Sequence, residues 1–104
     1  MKCIYLVNYA ASGMKGLMQG SDREAAAKAL VESQGGKLIN FMFARGKYDV
    51  AVTVDVPNQA GTLGVAMLLR ASGAFSDVIV LEEVDLKAIV AAAQKASKNY
   101  TPPG

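Results

Sequence analysis

The stretch Lys37-Leu-Ile-Asn-Phe-Met-Phe-Ala-Arg-Gly-Lys-Tyr-Asp-Val-Ala-Val-Thr-Val-Asp-Val56 decides the fold. It holds two runs rich in β-branched and aromatic residues, Lys37 to Arg45 and Tyr48 to Val56, joined at Gly46-Lys47. Such a pattern predicts a β-hairpin. A two-residue loop pairs Arg45 with Tyr48, and then Phe43 with Val50, Phe41 with Val52 and Ile39 with Val54. Opposed residues share a face, so this face is wholly apolar and belongs under helices. The other face pairs Ala44 with Asp49, Met42 with Ala51, Asn40 with Thr53 and Leu38 with Asp55. It is neither a clean solvent surface nor a clean core.

Working outward, Ser21-Asp22-Arg23-Glu24 has the form of a capping box with Ser21 as the cap. The helix it opens stops at Gly35-Gly36, where a left-handed C-cap is expected. Lys2 to Tyr9 reads as a strand, and Met14, Leu17 and Met18 follow it at helical spacing. Downstream, Pro57 and Asn58 close the hairpin, Gln59 to Ser72 is a helix, and Phe75 to Val84 is a last strand. Asp85 caps a final helix with Leu86, Ile89, Val90 and Ala93 on one stripe. Right-handed crossovers turn this order into a four-stranded antiparallel sheet. The expected class is α+β: a ferredoxin-like βαββαβ domain over residues 1–99 with an extra C-terminal helix, then an extended tail over 100–104.

The bulk composition excludes several function classes. The chain has 104 residues, so one domain is expected. Its net charge of +2 comes from scattered residues and makes no footprint for nucleic acid or anionic lipid. The nearest basic cluster, Lys87, Lys95 and Lys98, suits the solvated face of a helix. Cys3 is the only cysteine and sits in an apolar run, so it reads as a small buried hydrophobe. Histidine is absent. That removes serine–histidine triads, histidine-held zinc and iron, and a histidine-held haem. No stretch is long enough to cross a membrane, and the apolar start breaks at Asn8, short of a signal-peptide core. A cytoplasmic location is the expectation, with no metal and no cofactor.

Hydrophobic residues make up 52% of the chain and charged ones only 19%. A lone domain of this size cannot easily hide so much apolar surface. The first strand places Cys3, Tyr5 and Val7 on one side and Ile4 and Leu6 on the other, and a sheet apolar on both sides wants both covered. In the helix from Gln59, Leu63, Val65, Met67, Leu68 and Leu69 point around most of the circumference, with Arg70 its only charge. The expected partner is therefore a second copy of the chain, in a dimer or higher oligomer.

Gly46-x-Tyr48-Asp49 on the turn into a valine-rich strand resembles the motif that names the GYD domain family. The likeness extends through Tyr5-Leu-Val-Asn-Tyr9, Gly13-x-x-Gly16-Leu17, Leu30-Val-Glu-Ser-Gln-Gly-Gly-Lys-Leu38, Tyr48-Asp-Val-Ala-Val and Ala71-Ser-Gly73, and so covers most of the chain. The resemblance implies a ferredoxin-like fold whose sheets pair between subunits as a dimeric α+β barrel. It implies no particular activity.

Four motifs carry the candidate chemistry. In Gly46-Lys47-Tyr48-Asp49 the glycine supplies a positive φ, and Asp49 either bonds backbone amides or, desolvated at the rim of an inter-sheet cavity, works as an acid–base group. Gly13-Met-Lys-Gly16 lacks the rest of a phosphate-binding pattern, and Gly35-Gly36-Lys37 follows a helix rather than opening one. Arg45 to Val50 is a near miss to an RNA-recognition octamer, but Lys47 and Asp49 stand where stacking aromatics are needed. Two functions remain. One is a non-catalytic homo-oligomeric module that binds a small molecule or partner protein. The other is a cofactor-independent enzyme working in the inter-sheet cavity with Tyr5, Asn8, Asn40 and Asp49.

Overall fold

The computed structural model describes residues 1–104. Along the chain run β1 (Lys2–Tyr9), α1 (Ala11–Met18), α2 (Arg23–Ser33), β2 (Lys37–Phe43), β3 (Val50–Asp55), α3 (Gln59–Ala71), β4 (Phe75–Glu82) and α4 (Leu86–Ser97). The strands form one antiparallel sheet in the order β2-β3-β1-β4. Tyr5 in β1 faces Val52 of β3 on one side and Val80 of β4 on the other. This is the expected ferredoxin-like arrangement, with two crossovers and a fourth helix appended.

Three of the four helices start where a short polar side chain can accept an orphan backbone N–H, while α1 follows Ala10 with no such cap. Asn58 accepts from Gly61 N at 2.9 Å for α3, and Asp85 from Ala88 N at 3.2 Å for α4. For α2 the cap is Asp22, which accepts from Ala25 N at 3.0 Å. Ser21, expected in that role, instead accepts from the Arg23 guanidinium at 3.3 Å. The carboxylate wins because it suits the positive end of the helix dipole better than a hydroxyl does.

The hairpin departs from the expected one at both ends. Ala44 N donates to Asp49 O at 2.8 Å, so four residues rather than two make the turn, and β2 and β3 end at Phe43 and Val50. Phe43–Val50, Phe41–Val52, Met42–Ala51 and Asn40–Thr53 pair as expected. The register then shifts between Leu38 and Asn40, so that Leu38 faces Val54 and Lys37 faces Asp55. One extra residue in β2 is a bulge, and it exchanges faces. Leu38 therefore packs on the core while Ile39, expected there, is 47% exposed.

The core lies on the helix side of the sheet. Cys3, Tyr5, Val7 and Tyr9 of β1, Val50, Val52 and Val54 of β3, and Val78 of β4 are buried there against Val31 of α2 and Ala66 of α3. The buried Thr62 of α3 joins them and accepts the Tyr5 hydroxyl at its carbonyl, 2.8 Å away. Phe43, at the far end of β2, escapes this cover and is 57% exposed, edge-on to Phe41.

The opposite face of the sheet has no helix on it. Ile4, Met42 and Leu81 are exposed there and Leu6, Ala51 and Ile79 half-buried. α3 also leaves Leu63, Met67 and Leu68 exposed. Every residue of α4 is exposed, including the stripe of Leu86, Ile89 and Val90. The molecule consequently measures 59 × 33 × 23 Å, with a radius of gyration of 17.6 Å. A compact chain of this length has a radius of gyration of about 13 Å.

Candidate functional site

At the end of β1 the strand has to part from β3, and the motif residues manage that parting. Asp49 N donates both to Val7 O at 2.9 Å and to Asn8 Oδ1 at 3.0 Å. Asp49 Oδ2 accepts from Tyr9 N at 2.9 Å, and Asn8 Nδ2 donates to Lys47 O at 3.0 Å. The Asp49 carboxylate thus replaces the carbonyl that the ladder would have offered Tyr9, just where β1 shifts register against β4. Asn8 ties the same strand to the loop. Gly46 has φ 144°, a backbone conformation that disfavours a side chain, although the space around it is open. Lys47 lies 5.7 Å above the Tyr48 ring and closes the turn.

The four candidate side chains do not converge. Asn8 and Asp49 are neighbours, but each side chain is spent on backbone N–H and C=O groups. Asn40 is exposed on the uncovered face of edge strand β2, opposite Thr53. Tyr5 is on the other side of the sheet, buried among the core valines. Burial pushes its phenol up to about 12, helped by the neighbouring Cys3 and Glu82, and the bond to Thr62 only partly opposes this. At neutral pH it is a fixed hydroxyl.

The structure does bring together a different set. Between α2, α3 and the sheet lies a cavity of about 60 Å³, lined by 14 residues of which 13 are hydrophobic. Tyr5 and Tyr9 contribute from β1, Ala27 and Leu30 from α2, and Val65 and Leu69 from α3. The one charged lining residue is Arg23, the first residue of α2. Burial raises the Tyr9 phenol above its ordinary value, while the nearby charge of Arg23 pulls it back part of the way. Tyr9 also stacks on Phe75, with ring centroids 5.2 Å apart.

Sequence reasoning passed over Arg23 and Tyr9. A signal was present in Arg23, since a cation in the first turn opposes the helix dipole and calls for another reason to be there. Gly13, weighed as part of an anion loop, has a packing role. A Cβ on it would come within 2.4 Å of Ala74 O and 2.7 Å of the Tyr9 ring. Only glycine lets α1 lie so close to the end of β1.

The described residues contain no group of histidine, cysteine, aspartate or glutamate side chains arranged to hold a metal ion. No helix is long and apolar enough to cross a membrane. No curated protein and no solved structure matches the chain. The family model of the GYD domain matches residues 3–93, which includes all four strands save Lys2 and the whole Asp49 clamp. On that match, the chain belongs to the GYD domain family.

Proposed function

We propose that this GYD domain is a non-catalytic, homo-oligomeric binding module, assembled by pairing the uncovered sheet faces of two copies as a dimeric α+β barrel. The observation that carries the reading is the apolar character of that face, with Ile4, Leu6, Met42, Ile79 and Leu81 on three of the four strands and no helix over them. The total accessible surface supports it. A compact monomer of 10.9 kDa exposes about 5,600 Å², whereas this chain exposes 7141 Å². The excess of roughly 1,500 Å² is about twice what one partner contributes to a standard interface, and suits an obligate pair.

The non-catalytic part rests on the polar groups. Asn8 and Asp49 are occupied in holding the backbone, Asn40 stands alone, and Tyr5 faces the other side of the sheet. Nothing pairs a base with a nucleophile.

Substitution distinguishes this face from the outer side of α3. Met42→Lys with Leu81→Lys places charges on side chains that are 50% and 49% exposed, so the fold should survive. Native mass spectrometry is expected to show the parent as an oligomer and this variant as a monomer. An unchanged oligomer, dispersed instead by Met67→Lys on α3, would overturn the sheet pairing.

A further inference from the structure

Of the three cavities that touch Arg23, two also share Tyr9. The inner one is the apolar chamber of about 60 Å³ under α2 and α3. The outer one, about 130 Å³, lies beside α1 and is lined by Ser12, Ser21 and Gly16 among others. Tyr9, Arg23 and Phe75 line both. The result is a dry pocket whose mouth carries one cation and one phenol.

Neither group at the mouth belongs to an ion pair, although the Asp49 carboxylate is near enough to act on the Tyr9 phenol. The ion pairs of the chain are Met1 with Asp55 and Lys28 with Glu32, and Arg23 belongs to neither. Its chain neighbour Asp22 is engaged as the α2 cap. Arg23 donates to Ser21 Oγ at 3.3 Å, an uncharged partner. Tyr5 gives its proton to Thr62 O. Tyr9 cannot give its own to Arg23, because a guanidinium has no acceptor. The Tyr9 hydroxyl beside Arg23 therefore keeps its donor to offer outward. A half-buried guanidinium with spare donors beside a phenol is an anion receptor, and guanidinium geometry fits a carboxylate.

We propose that this cleft binds a short-chain monocarboxylate, its apolar tail in the chamber and its carboxylate on Arg23 and Tyr9. The chamber's size sets the tail. A cavity of about 150 Å³ takes benzene, so one of about 60 Å³ takes roughly two or three carbons and no ring. The proposal rests on the binding-module reading for the absence of turnover, but the cleft lies within one protomer and needs no partner copy.

The test is calorimetric titration of the full chain with sodium butyrate, with butyramide as the neutral isostere. Six non-hydrogen atoms allow a dissociation constant on the order of 1 mM. Butyramide should bind at least about tenfold more weakly, since the charge-assisted bonds are lost. Arg23→Gln should lose butyrate affinity by a similar factor, and Ala27→Leu, which fills the chamber, should abolish it. A melting curve on each variant confirms that it is folded. The monomeric Met42→Lys, Leu81→Lys variant should bind as the parent does. No saturable butyrate binding, equal affinity for butyramide, or full affinity in folded Arg23→Gln would overturn the site. Loss of binding in the monomeric variant would overturn it too, by placing the ligand between subunits. Butyrate consumed rather than recovered would support the site while contradicting the non-catalytic reading.

Discussion

At the level of single residues, the GYD motif is a device for ending a strand. Asp49 supplies an acceptor to Tyr9 N where the ladder fails, and its own N–H goes back to β1. Asp49→Asn keeps an oxygen but loses the charge, so a loss of about 1 kcal/mol is expected. Asp49→Ala leaves a part-buried N–H unpaired and should cost more, about 1–3 kcal/mol. Urea titration of both variants checks this order, and equal midpoints for Asp49→Ala and the parent would contradict the clamp. Gly46→Val at φ 144° should cost about 1–2 kcal/mol through backbone strain alone, since nothing lies within 4 Å of its Cβ position. Tyr5 gives a pH signature. Burial holds its folded-state value near 12 against an ordinary 10.0. Between those values the unfolded chain has released the proton and the folded one has kept it, so stability falls as pH rises through that window and is unaffected below it. Urea midpoints taken on either side of pH 10 should show the decline, and Tyr5→Phe should reduce its slope. The motif's structural role was legible in the sequence as one of two readings, because a carboxylate beside a glycine turn commonly bonds backbone. Its actual partner, Tyr9, was not, since only the topology brings the two strands together.

Among the elements, the hairpin and α4 show where sequence pattern runs out. The alternation of Phe41, Phe43, Val50, Val52 and Val54 fixed the core face correctly over most of the hairpin. It could not place the bulge at Leu38–Asn40, because Leu38-Ile39 is apolar at both positions and fits either register. The amphipathic stripe of α4 was legible too, but periodicity names a buried face without naming what buries it. That stripe stays exposed in its own chain. An isolated twelve-residue helix is marginal in water, so α4 should be stable only in the assembly. Hydrogen exchange is expected to show protected α4 amides in the parent and rapidly exchanging ones in the monomeric Met42→Lys, Leu81→Lys variant. Equal protection in both would mean that α4 needs no second copy.

For the whole molecule, composition and shape point the same way. A chain with 52% hydrophobic and 19% charged residues folds with its core on one side of a sheet and leaves the other side, the outer face of α3 and all of α4 in solvent. Such surface on a lone domain favours association. The most direct measurement is light scattering on the unmodified chain at micromolar concentration. A mass of at least twice 10.9 kDa with no substantial monomer is expected. A stable, soluble species at 10.9 kDa would contradict it.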